Sequence, residues 1–110
     1  MIQIRDAAGR IQVICTGKNF EELVADWIAI SALERQLEIV GEAVKRLPMV
    51  LRDGRPEVPW KEIAGMRDRL SHGYDEIDHR VLWNAASRDM PILLSCVVSM
   101  LAELRQDRGE

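Results

Sequence analysis

An all-α fold, an antiparallel four-helix bundle, follows from three observations. Apolar residues recur three and four apart along four segments of this 110-residue chain, the spacing of helices that bury one face. The alternation of a half-buried strand is absent, as are repeats and low-complexity segments. The connections are short, which makes neighbouring helices run up and down. The length suits one domain over 1–110. A chain that is 47% hydrophobic and 30% charged has ordinary globular composition.

The first segment, about Ile2 to Thr16, aligns Ile4, Ala7, Ala8, Ile11, Ile14 and Cys15 on one stripe. Gly17 is its stop, and Gly9 weakens its middle. Asn19 and Glu22 have the spacing of a capping box and open the next helix. Ile30, Leu33, Leu37, Val40, Val44 and Leu47 form its main stripe, preceded by Leu23 and Trp27. The stripe drifts near Asp26, where a break is expected. Pro48 disfavours helical geometry at Leu47 and ends the segment. Met49 to Val58 reads as a loop, with a turn at Asp53-Gly54. Pro59 suits the first turn of a third helix running to Ser71. Asp78 caps the last helix, with Ile77 and Leu82 placed for a hydrophobic staple. Leu82, Ala86, Leu93, Val97, Met100 and Leu104 form its stripe. Pro91 removes a backbone donor within that stripe, so a kink is expected there. Gln106 to Glu110 should fray.

The charge balance excludes several functions. A net charge of −3 does not supply an extended basic groove for nucleic acid, so a phosphate-bearing ligand would be handled at a focused site. Between Lys61 and Arg80 four basic residues face five acids. The two histidines and two cysteines lack zinc-ligand spacing, and Gly54, Gly65 and Gly73 make no phosphate loop. No cofactor is expected. Cys15 and Cys96 fall within apolar helical patterns and read as buried, reduced thiols. The N-terminus lacks a signal-peptide core, and no apolar run is expected to span a bilayer, so a cytoplasmic location is the default expectation. Trp27, Trp60 and Trp83 read as core or interface residues rather than base-stacking surfaces. His79, after the cap, has no assigned role.

One stretch carries chemistry: Arg67-Asp-Arg-Leu-Ser-His-Gly-Tyr74. Trp60, Ile63, Met66, Leu70 and Tyr74 place it at the end of an amphipathic helix, with Arg67 flanking the apolar arc. Asp68 and His72 are four apart and can meet on one face, where the carboxylate would orient the imidazole. Gly73 can end the helix with a positive φ. Histidine moves protons near neutral pH, and the arginine fork holds phosphate. Together they supply a proton shuttle and a cation for metal-free phosphodiester cleavage. The blander alternative is a charged helix face without function. On a regular helix Arg67 and His72 diverge by roughly 140°, so they need an unwound helix end or groups from a second copy. Tyr74, on the apolar arc, reads first as a core residue, since an aromatic at helical spacing usually packs inward.

At Arg67-x4-His72-x-Tyr74 the chain resembles the HepT family of HEPN-domain proteins. Its Pro59-Trp-Lys-Glu-Ile-Ala-Gly-Met-Arg67, Arg35-Gln-Leu-Glu-Ile-Val-Gly-Glu-Ala43 and Asp78-to-Trp83 stretches resemble the family's flanking signatures. The resemblance covers the chain roughly from Trp27 onward. It implies a HEPN-like bundle that forms a homodimer, with both motifs in one cleft. It also implies the RNA-cleaving, metal-independent toxin of a toxin–antitoxin pair. Arg67 and His72 would be the catalytic pair and Asp68 a supporting residue. Tyr74 would accept AMP from an MNT-type nucleotidyltransferase antitoxin. A second expectation, from a different class, is a non-catalytic helical dimer that only docks such a nucleotidyltransferase.

Overall fold

The computed structural model of the protein describes residues 1–70 and 78–107. Helix α1, Ile2–Cys15, buries Ile4, Ala7, Ala8 and Ile11 completely. It stops where Gly17 adopts φ +74, a left-handed conformation that favours glycine. The capping box at Asn19 is formed. The Glu22 N–H donates to Asn19 Oδ1 at 2.8 Å, and the Asn19 N–H donates to Glu22 Oε1 at 3.2 Å.

The helix this box opens is split at the expected place. Helix α2, Phe20–Ala25, ends at Asp26, whose backbone is extended. Asp26 Oδ1 accepts from the Ala29 N–H at 3.1 Å and so caps α3, Trp27–Lys45. The stripe residues Ile30, Leu33, Leu37, Val40, Val44 and Leu47 are all buried. The expected loop contains a single helical turn, α4, Met49–Asp53, with Pro48 at its N-cap. The Trp60 indole N–H donates to the Arg55 carbonyl at 2.9 Å and fastens the loop's far end.

The helix expected over 59–71 is two short ones. Helix α5, Trp60–Ala64, ends at Gly65, and α6, Met66–Leu70, follows directly. Their apolar stripe is nevertheless as read: Trp60, Ile63, Met66 and Leu70 are buried. Residues 71–77 lie outside the described residues, and with them the Ile77 staple.

Asp78 Oδ1 accepts from the Arg80 and Val81 N–H groups at 3.0 and 3.2 Å and caps α7, His79–Asn84. A π turn, Ala85–Asp89, leads into α8, Met90–Asp107. A kink was expected at Pro91; the feature the helix carries is this π turn just upstream. Pro91 has no N–H to donate four residues back. The chain widens just upstream, and the Met90 N–H donates five residues back to the Ala85 carbonyl. The run from His79 to Asp107 is long and apolar enough by length and composition to cross a membrane, which corrects the expectation that no segment reaches that threshold. Its Leu82, Ala86, Leu93, Val97 and Met100 are buried in the core, as befits a core helix.

The buried residues form one cluster. Helix α1 packs on α3 and α8, and α3 also carries α5 and α6. The described structure is all-α, with no strand among the described residues. Helix α3 is therefore the support on which the motif helix rests.

Candidate active site

The sequence of α6 divides it in two. Met66 and Leu70, four apart, face the core, while Arg67 and Asp68 are exposed. Arg67 is not simply solvated. Its side chain lines a surface depression of about 290 Å³, together with Gln3 of α1 and Arg35, Glu38, Ile39, Glu42 and Arg46 around α3. Three guanidinium groups and two carboxylates thus share one concavity. Internal contacts hold part of its wall. Arg46 Nη2 donates to Gln3 Oε1 at 3.0 Å, and Arg35 lies 3.6 Å from Glu38. Lys45 draws Glu42 outward at 3.3 Å. An arginine fork on a concave rim can take an oxyanion in bidentate fashion.

Of the residues singled out in the sequence, Arg67 and Asp68 are placed on α6. His72 and Tyr74 lie outside the described residues, as does the Asp68–His72 pairing. The chain is described again at Asp78. His79, expected to be exposed, is half-buried at the start of α7. The tryptophans separate. Trp60 is buried and hydrogen-bonded, so it does not anchor an interface. Trp83 is half-buried and forms a T-shaped pair with Phe20, centroids 6.1 Å apart. Only Trp27, 74% exposed, is placed to meet a second molecule.

Two features escaped the sequence reading. Arg69, two residues after Arg67, points elsewhere: its Nη1 donates to the Glu62 carbonyl at 3.4 Å. Arg69 also acts on Asp89, the last residue of the π turn. Burial pushes the Asp89 carboxyl above its usual range, Arg69 and Arg88 pull it back, and Glu62 adds to the rise. The Pro91 signal marked an irregularity but not this half-buried carboxylate two residues before it. The second feature joins α2 to α7. The Arg80 guanidinium stands 3.7 Å from the Phe20 ring centroid. This contact fastens the first turn of α7, where the chain returns from the motif.

Among the described residues no group of three or more His, Cys, Asp or Glu could hold a metal ion. Cys96 is buried and Cys15 half-buried; both are free, and burial raises both thiols. The Cys96 thiol donates to Met100 Sδ at 3.6 Å.

The family model described as ribonuclease HepT-like matches residues 4–100. The chain belongs to the ribonuclease HepT-like family. It is 45% identical over 85 residues to a candidate RNase of Caldanaerobacter subterraneus subsp. tengcongensis, covering 77% of this chain and 76% of that one. It is also 45% identical over 74 residues to a probable ribonuclease HepT of Thermococcus cleftensis, covering 67% of each chain. A candidate RNase of Methanocaldococcus jannaschii is 40% identical over 73 residues, with 66% of this chain and 63% of that one covered. No solved structure matches. Membership of this ribonuclease family implies an RNA substrate.

Proposed function

We propose that this HepT-like ribonuclease is a metal-independent endoribonuclease toxin, with Arg67 and His72 as its catalytic pair. One observation carries the reading. In a chain of this family, Arg67 stands exposed on the rim of a concave surface, on a helix held from below by buried Met66 and Leu70. The ribose 2′-oxygen would bond to phosphorus while the bond to the 5′-oxygen breaks, leaving a 2′,3′-cyclic phosphate and a 5′-hydroxyl. Arg67 stabilises charge on the non-bridging oxygens, and His72 moves the proton between attacking and leaving oxygens. Asp68, four residues before His72 in the sequence, would favour the imidazolium form. A homodimer would bring both motifs into one cleft and answer the divergence of the two groups on a single helix. The test is incubation of the purified protein with RNA in EDTA. Cleavage with cyclic-phosphate ends is expected. Cleavage that stops in EDTA and returns with magnesium contradicts the mechanism.

Control falls to Tyr74 and to an MNT-type nucleotidyltransferase antitoxin acting in the same cytoplasm. An adenylyl group on the phenol would put a phosphate and a base beside Arg67 and compete for the cation that RNA needs. Co-expression with the neighbouring nucleotidyltransferase should add AMP-sized mass increments that vanish in Tyr74→Phe. Full silencing of that variant without any adduct would mean inhibition by docking alone.

A further inference from the structure

Gly41 lies inside α3, where glycine costs about 1 kcal/mol relative to alanine. Its backbone is helical, so no turn requires it. Space does. A Cβ at position 41 would lie 2.9 Å from the Ile63 carbonyl oxygen, 3.3 Å from Met66 Cβ and 3.8 Å from the Ala64 carbonyl oxygen. The first distance is shorter than real Cβ contacts, and its partner is backbone, which cannot swing aside. All three atoms belong to the joint where α5 stops at Gly65 and α6 begins. Arg67 is the next residue after Met66.

The depression that Arg67 lines is walled by Glu38, Ile39, Glu42 and Arg46, which bracket Gly41 along α3. The spacing between α3 and the joint therefore sets how far Arg67 stands from that wall. The geometry points to Gly41 as a positioning residue: its missing side chain seats the α5–α6 joint on α3 and thereby aims the Arg67 guanidinium. This rests on Arg67 being catalytic, as proposed above. An added methyl must push the joint away by about half an ångström to reach ordinary contact distance.

The test is a double-mutant cycle on RNA cleavage under single-turnover conditions, with rates normalised to the folded fraction from circular dichroism. Gly41→Ala should lower the maximal single-turnover rate about tenfold to a hundredfold, the scale on which small misplacements act, with the half-saturating concentration little changed. In an Arg67→Ala background the same substitution should change the residual rate by less than about twofold, because the group it aims is gone. Should Gly41→Ala fail to fold, Met66→Leu keeps the Cβ that faces Gly41 but changes the branching just beyond it, in the buried seat of the same joint, while conserving volume. It should give a smaller loss that also disappears without Arg67. Equal losses in both backgrounds would make the role purely structural and overturn the inference. Failure of the wild-type protein to cleave any RNA would instead overturn the proposed function on which it stands.

Discussion

Arg67 and Arg69 are two residues apart on α6, yet they act in different places. Arg67 lines the depression beside α3, whereas Arg69 turns back to the Glu62 carbonyl and toward Asp89. Spacing placed Arg67 at the flank of the apolar arc, and that held. Arg69's role was not legible, because it depends on a π turn many residues later in the chain. Asp89 gives this arrangement a measurable consequence. Burial raises its folded-state pKa above the ordinary carboxylate value, so the folded protein holds this proton more tightly than the unfolded chain. The contribution to stability is present below the unfolded pKa and is lost as pH rises through the folded one. Asp89→Asn, which carries no charge at any pH, should therefore raise the melting temperature at pH 7. The gain should shrink as pH falls toward 4. A variant less stable than wild type at pH 7 would show that Arg69 and Arg88 outweigh burial.

At the scale of elements, three of the four expected helices are interrupted, and the interruptions differ in how far they could be read. The break at Asp26 was legible, because the stripe drifts there and aspartate is a good cap. At Pro91 a kink was read from the missing N–H, whereas the π turn that precedes it was not legible. The joint at Gly65 was missed because its partner is tertiary: Gly41, far off in sequence, lets the backbone approach. The turn of α4 was missed because five residues carry too little periodicity to separate from a loop. Asp78 is the element-scale residue whose removal has the clearest effect. It satisfies two N–H groups at the start of α7. Asp78→Ala should cost about 1 kcal/mol, lowering the melting temperature by roughly 4–8 °C. Asp78→Asn should stay near wild type, and an alanine variant that melts with wild type would mean that solvent replaces the cap at no cost.

The whole molecule measures 47 × 29 × 19 Å, and its thinnest dimension is about two helix diameters. A slab of this kind cannot cover every apolar residue. Val13, Trp27 and Val50 stand 77%, 74% and 75% exposed, and Ile2 and Ile28 more than half. In the proposed homodimer Trp27, rather than buried Trp60 or half-buried Trp83, is the candidate contact. Light scattering of the isolated protein at micromolar concentration should give twice the chain mass of 12.5 kDa. A strictly monomeric mass would leave Arg67 and His72 without the partner motif that the mechanism calls for. The net charge of −3 fits the same scale. A negative net charge does not supply a broad basic face, and among the described residues Arg35, Arg46 and Arg67 share one local depression.

The central claim is that Arg67 and His72 cleave RNA without metal. The most direct measurement follows one labelled RNA in EDTA with the wild-type protein, Arg67→Ala and His72→Ala, all three matched for helical signal. Cleavage by the wild type is expected, with loss of at least about a hundredfold in each variant, within the range set by removal of a proton-transfer group or an oxyanion donor. Wild-type rates in either alanine variant would contradict it.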